Sequence, residues 1–280
     1  MRSLRIGLIG AGIGRSRLAR ALDLMCADHG IALDFTPIDT AGLAGFDFAA
    51  TIRRLRDAGW HGVTVTHPYK THAFAASDRM APGTGDLGAA NTLLFRDGDV
   101  LGTNTDYSGF RGAWTARMAA PPGRVAMAGA GGVARAVAPA LRAAGAEVTV
   151  WDRDAARARA LAAAFGLRAV DADDAAAAAA GAAGLVNCTP LGMGDDGGSA
   201  FPLDWIGPQR WAFDAVYTPT DTPFLRRAAD EGLTILSGFD LFRHMAMDSF
   251  AAYTGIAPDP ATTLPRLQAL RPGRDPARET

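Results

Sequence analysis

Lysine is scarce in this chain, and the place where it occurs invites a chemical reading. Of the 28 basic residues one is a lysine, Lys70, and the other 27 are arginines. Where only a positive charge or a solvated head is wanted, arginine serves throughout, so the single lysine marks a place where a guanidinium cannot substitute. An amine can be tuned by burial and a neighbouring carboxylate to take up and release a proton near neutral pH; a guanidinium effectively cannot. General acid/base catalysis asks for that property, and Lys70 is the candidate to supply it. The competing reading, a chance survivor on a loop, stays open on composition alone.

A second constellation points to a dinucleotide. Gly129-x-Gly131-Gly132-Val133-Ala134 follows the apolar run Val125-Ala126-Met127-Ala128 and opens an alanine-rich helical stretch. In that context the first glycine permits a tight turn, the second lets the backbone approach a pyrophosphate, and a small residue at 134 lets helix and strand pack closely. Phosphate then meets the free N–H groups and the positive end of the helix dipole without needing a lysine. Asp152 ends the next apolar run, Val148-Thr149-Val150-Trp151, about twenty residues on, where an acid accepts hydrogen bonds from ribose hydroxyls. Asp152 favours NAD, while the adjacent Arg153 keeps NADP open by offering a partner for a 2′-phosphate. Gly10-x-Gly12-x-Gly14 near the N-terminus looks similar, but its nearest acid, Asp39, is spaced too far along for a second dinucleotide site.

The elements that must carry these residues alternate. Leu4–Ile9 reads as a strand, the stretch from Ser16 to Met25 as a helix, Ala32–Ile38 as a strand, Phe48–Ala58 as a helix and Gly62–Thr66 as a strand stopped by Pro68. Beyond Arg124 a second series has strands at 125–128, 148–151, 184–187, 212–216 and 234–236, and the alanine run 175–180 is the helix due between two of them. Repeated βα units predict mostly parallel sheets, in which ligands sit at the carboxyl ends of strands. Lys70 lies just past such an end. A length of 280 residues suits two domains better than one.

Composition narrows the partners. With 49% hydrophobic and 20% charged residues the chain can bury a sizeable core, and its net charge of −1 supplies no broad basic surface for nucleic acid or anionic lipid. Cys26 and Cys188 are too few for a disulfide framework or a zinc site, so no metal is expected and a reducing, cytoplasmic setting is. The apolar run at the N-terminus is too short for a signal peptide, and no run of about eighteen apolar residues predicts a membrane span.

Several polar clusters fall between the apolar segments: Val65 to Lys70, Gly88-Ala89-Ala90-Asn91-Thr92, Gly102 to Gly109, Asn187-Cys188-Thr189-Pro190-Leu191-Gly192-Met193, and Asp214-Ala215-Val216-Tyr217. In this order and spacing they resemble the shikimate/quinate dehydrogenase family over nearly the whole chain. The resemblance implies an α/β protein of two domains: a split substrate-binding domain, 1–105 plus 239–280, and a Rossmann-type domain with a mostly parallel sheet, 106–238. It implies an oxidoreductase that passes a hydride between NAD, or NADP, and a ring hydroxyl of a cyclic hydroxy acid. Lys70 and Asp106 would be the catalytic pair, with Ser16, Thr66, Asn91 and Tyr217 holding the substrate. The Asn187–Met193 loop would lie on the nicotinamide side, adding Thr189, Gly192 and Met193 to the cofactor residues Gly129, Gly131, Gly132, Val133, Ala134, Asp152 and Arg153. A monomer or homodimer is expected.

Two departures from the family pattern carry an expectation of their own. Leu18 stands where a hydroxyl residue is usual and Met245 where a glutamine is usual, so the substrate pocket is expected to be more apolar and to bind shikimate weakly. Two other readings compete. A methylene-tetrahydrofolate dehydrogenase-like enzyme would also pair a lysine with a Rossmann domain, but the Asn104-Thr105-Asp106 and Asn187-Cys188-Thr189 loops argue against it. A non-catalytic ligand sensor has only the two departures in its favour.

Overall fold

The computed structural model describes residues 2–194 and 198–272. The chain forms two compact units, Met1–Gly109 with Arg243–Leu270, and Phe110–Phe242 with a segment starting at Arg271. The division falls four residues later than the expected boundaries at both crossings, 109 against 105 and 242 against 238. Asp106 therefore belongs to the first unit, with Lys70, and not to the second. Arg271 and Pro272 also go with the second unit, and the end of the tail, 273–280, lies outside the described residues.

The first unit opens with β1 (Arg2–Gly10), α1 (Leu18–Asp28), β2 (Ile31–Asp39), α2 (Phe48–Asp57), β3 (Gly62–Val65) and α3 (Lys70–Ala75). It continues through β4 (Arg79–Met80), β5 (Thr92–Arg96) and β6 (Asp99–Thr103) to α4 (Thr105–Arg117). Its sheet has the order β2-β1-β3-β5-β6-β4. The first three strands are parallel as expected, but β5 runs antiparallel to both β3 and β6. The sheet is thus mixed. Every residue of β3 is buried, as a central strand covered on both faces requires, and Ile9, Val63, Val65 and Leu93 meet Phe48 and Ile52 of α2 in one core. Asp47 starts α2 where it does because its carboxylate accepts the Ala50 N–H at 2.8 Å.

The second unit holds β7 (Arg124–Ala128), α5 (Ala134–Ala143), β8 (Glu147–Trp151), α6 (Ala155–Phe165), β9 (Arg168–Ala169), α7 (Ala175–Ala180) and β10 (Gly184–Asn187). It closes with β11 (Trp211–Asp214), α8 (Pro223–Asp230), β12 (Thr234–Ser237) and the start of α9 (Gly238–Thr254), whose later turns belong to the first unit ahead of α10 (Pro260–Gln268). All its strand pairs are parallel, in the order β12-β11-β10-β7-β8-β9. Counting within the unit, that is 6-5-4-1-2-3, the doubly wound dinucleotide-binding order, whose direction reverses between β7 and β10. Ligands of such sheets bind in the crevice at that reversal.

The discontinuity of the first unit has a simple physical basis. Tyr253 on α9 is buried, and its hydroxyl shares a hydrogen bond with the Thr64 hydroxyl of β3 at 2.8 Å. Returning the C-terminal helix to the sheet covers β3 and satisfies two buried hydroxyls at once.

Candidate active site

Lys70 begins α3, directly after the turn that ends β3, and its backbone carbonyl accepts the Ala90 N–H at 2.9 Å. Asp106 lies in the first turn of α4, where a carboxylate is favoured by the free N–H groups of the helix start. Asn104 fixes that start: its Oδ1 accepts the Tyr107 N–H at 3.2 Å, and its Nδ2 donates to the Ala89 carbonyl at 2.8 Å. The result brings the lone lysine onto the acid, Lys70 Nζ to Asp106 Oδ2 at 2.6 Å, with side chains only 14% and 7% exposed. A charge-assisted hydrogen bond this short and this shielded holds the amine in one place while leaving its other N–H positions for a ligand.

Asn91 follows Ala90, whose N–H bonds to the Lys70 carbonyl, and is itself bonded to Thr105, the residue before Asp106, so its orientation can be read from its partners. Its Oδ1 accepts the Thr105 N–H at 2.7 Å and the Thr105 hydroxyl at 3.1 Å, which requires that atom to be the oxygen. The amide nitrogen is therefore turned the other way and makes no hydrogen bond among the described residues. Thr105 Oγ1 lies 2.9 Å from Ser249 Oγ, and Ser249 reaches the Met245 sulfur at 3.5 Å. Thr105 and Ser249, 144 positions apart, were absent from the sequence-based candidates because nothing local in the sequence joins them. Ser108, two residues after Asp106, donates to the Asp248 carboxylate, whose own burial raises its protonation tendency above the ordinary range.

The remaining substrate candidates are placed unevenly. Thr66 follows β3 and packs its methyl against Gly10. Ser16 is half-buried and accepts the Leu18 N–H at 3.2 Å, so its hydroxyl helps start α1. Tyr217 belongs to the second unit, stacked on Phe242 with ring centroids 5.2 Å apart. Leu18 corrects the expectation about the departures: at 2% exposure it is part of the core of the first unit, and its side chain offers no apolar wall to a pocket. A hydroxyl there would be buried. Met245 is half-buried, bonded through Ser249 and Thr105 to Asn91, and is the departure that bears on the site.

In the second unit the reversal between β7 and β10 brings Gly129 against Cys188 and Thr189. A Cβ added at Gly129 would lie 2.8 Å from the Cys188 carbonyl and 2.8 Å from Thr189 Cγ2. The N–H groups of Gly131 and Gly132 have no acceptor among the described residues, and a Cβ at Gly131 would meet nothing within 4 Å. Val133 leads into α5 in helical conformation, and Ala134 is fully buried where helix and strand meet. Open amides at a helix start are an anion cradle, so the residues fit a dinucleotide pyrophosphate. Asp152 is half-buried at the end of β8; one oxygen accepts the Ala130 N–H at 2.7 Å and the other the Asp154 N–H at 2.9 Å. Each oxygen keeps a lone pair for a ribose hydroxyl. Arg153 and Met193 are exposed and Gly192 is buried against Thr222.

The first unit contains the same strand, glycine turn, helix and strand, and here the sequence reading of Asp39 is corrected. Asp39 ends β2 opposite Gly10, and its carboxylate accepts the N–H groups of Gly12 at 2.9 Å, Ile13 at 3.1 Å and Ala41 at 2.9 Å. Those bonds, Ala41 and then Gly12 foremost, hold its carboxyl below the usual carboxylate range. An acid does close that strand at the right place, but it occupies the amides itself.

Residues 8–93 match the family described as shikimate dehydrogenase substrate binding domain, and residues 124–193 match the one described as NADP oxidoreductase coenzyme F420-dependent. A shikimate dehydrogenase (NADP(+)) of Acidiphilium cryptum is 39% identical over 90% of this chain and 91% of its own length. A quinate/shikimate dehydrogenase (NAD(+)) of Corynebacterium efficiens is 37% identical over 92% and 95%. Among solved structures, quinate dehydrogenase from Corynebacterium glutamicum in complex with NAD superimposes with a TM-score of 0.86, at 32% identity over 96% of this chain and 99% of that one. Shikimate 5-dehydrogenase from Thermus thermophilus, in complex with NADP(H) and shikimate, gives 0.81 at 35% identity over 95% and 99%. With relatives this similar across both units, the chain belongs to the shikimate/quinate dehydrogenase family.

Proposed function

We propose that the protein is an NAD-linked dehydrogenase of shikimate, quinate or a related cyclic hydroxy acid, with Lys70 as its proton-transfer group. The observation that carries this reading is the shielded 2.6 Å pair between the only lysine and Asp106. Bound at the Gly129–Ala134 turn, the nicotinamide dinucleotide supplies the hydride acceptor, or donor in the reverse direction. The chain supplies the rest. As a ring alcohol becomes a ketone, its hydroxyl proton must leave, and the Lys70 amine takes it; in reduction the ammonium returns it. Asp106 accepts from Lys70, fixes the amine and balances its charge once protonated. Asn91, with its carbonyl oxygen engaged by Thr105, presents its amide nitrogen to substrate hydroxyls, and Thr66, Ser16 and Tyr217 add hydroxyls. No observation favours a folate-type or sensor reading.

The choice between cofactors rests on Asp152. A carboxylate accepts from a free ribose 2′-hydroxyl and repels a 2′-phosphate, so NAD is preferred although the relatives include users of each. Assays of shikimate, quinate and similar acids with NAD and NADP, followed by reduced-cofactor absorbance, test the whole reading. NAD should give the higher kcat/KM, and Asp152→Ala should narrow the gap. A wild-type preference for NADP would instead put the exposed Arg153 in charge of the site. Such an enzyme, with two buried cysteines that form no disulfide, is suited to the cytoplasm; among the described residues no helix is long and apolar enough to cross a membrane.

Met245 sets a specificity expectation within the first unit. An amide in its place, as in Met245→Gln, adds a donor and an acceptor next to the Ser249–Thr105–Asn91 chain, and one good hydrogen bond contributes about 0.5 to 1.5 kcal/mol. The variant should lower the shikimate dissociation constant several-fold with little change in kcat, because such a group binds ground and transition states alike. Unchanged affinity would place residue 245 away from the substrate.

A further inference from the structure

The chemistry above leaves one buried acid unused. Asp214, the last residue of β11, is 0% exposed and pairs in register with Asn187, the last residue of β10. Its Oδ1 accepts the Asn187 amide at 2.9 Å and the Val216 N–H at 3.0 Å, and its Oδ2 accepts the Thr222 hydroxyl at 2.6 Å. Asn187 passes the constraint on. Its nitrogen also reaches the Leu191 carbonyl at 3.1 Å, while its oxygen accepts both the N–H and the hydroxyl of Thr189 at 2.8 and 2.7 Å. Thr189 Oγ1 then accepts the Leu191 N–H at 3.1 Å. From the other side Thr222 packs its methyl 3.1 Å from where a Gly192 Cβ would stand.

Burying a carboxylate is costly, and here burial pushes Asp214 up to about 7 despite its three donors. What the acid provides in return is acceptor capacity. Two oxygens take three donors in different directions, where an amide of equal size has a single acceptor atom. One group thereby fixes the Asn187–Leu191 turn, the Val216 backbone beside Tyr217, and the Thr222 that backs Gly192.

We infer that Asp214 is a positioning residue that sets the Asn187–Gly192 turn for the nicotinamide half of the dinucleotide. The inference rests on the cofactor reading above. The turn packs against Gly129, but the groups Asp214 holds are not the amides of Gly131 and Gly132 or the Asp152 carboxylate, which would serve the adenosine and pyrophosphate half. The two halves can be probed separately, because ADP-ribose carries the second without the nicotinamide.

The test compares dissociation constants of NAD and ADP-ribose for the wild type, Asp214→Asn and Thr189→Val, the last cutting the chain of bonds at its far end in a half-exposed turn. Asp214→Asn should weaken NAD binding tenfold or more and leave ADP-ribose within about twofold; Thr189→Val should show the same selectivity to a smaller degree. If the asparagine variant fails to fold, Thr189→Val decides by the same criterion. Equal losses for both ligands would make Asp214 a general scaffold residue and overturn the inference, as would no loss for either. A wild type that binds neither NAD nor ADP-ribose would overturn the cofactor reading itself, and this inference with it.

Discussion

Replacing Lys70 should cost at least two orders of magnitude in turnover, and the more telling replacement is arginine rather than alanine. General acid/base groups contribute about 10² to 10⁴. Lys70→Ala removes the proton carrier and also strands Asp106, whose side chain is 7% exposed, so part of its effect could be a rearranged carboxylate. Lys70→Arg keeps a cation against Asp106, yet a guanidinium holds its proton at any accessible pH. If proton transfer is the role, both variants lose activity together while their circular-dichroism melts stay close to that of the wild type. If electrostatic placement is the role, arginine rescues. A Lys70→Arg enzyme retaining a tenth of wild-type turnover would remove Lys70 from the chemistry.

Gly129→Ala should abolish useful cofactor binding, with a loss of a hundredfold or more in NAD affinity. Two independent effects act at this position. Its φ of +94° is one that side chains other than glycine rarely adopt, at a cost of about 1 to 3 kcal/mol. The new methyl would also stand 2.8 Å from the Cys188 carbonyl, so the turn and the loop after β10 would have to part. Gly131→Ala is the control: it meets nothing within 4 Å in the protein, so it should fold as the wild type does and disturb only a ligand lying against the turn. Fluorescence titration with NAD and thermal melts of both variants give the comparison. Wild-type affinity in Gly129→Ala would mean the dinucleotide does not depend on this turn.

How much of this was legible depended on whether the signal was local. The strand, glycine turn and helix at 125–143 are written in consecutive residues, and so is the lysine one turn past Val65. The hairpin of β5 and β6 was legible too, since Asp97 and Gly98 form the Asp-Gly pair that adopts positive φ at both positions, 54° and 85°, but its flanks were read as loops. The spacing of Asp39 misleads because it is counted against that of a dinucleotide site, whereas β2 is nine residues long, against five for β8, and carries the acid further from Gly10. Leu18 was misassigned because a family pattern names a position and not the direction a side chain takes. The Asp214–Asn187 and Thr105–Ser249 contacts join residues 27 and 144 positions apart, and no periodicity encodes them.

The two glycine turns end in opposite states, and the difference has a thermodynamic consequence. In the first unit Asp39 is an internal counter-ion: the chain carries its own anion, and the turn is complete as soon as it folds. In the second the Gly131 and Gly132 amides wait for one that arrives from outside. Binding to the folded form alone stabilises it by about 2.7 kcal/mol when the ligand is a hundredfold above its Kd. That increment belongs to the second unit and is missing from the first. If the dinucleotide binds there, its supply should govern more than the reaction rate: limited proteolysis of the Rossmann half should be faster without NAD than with it.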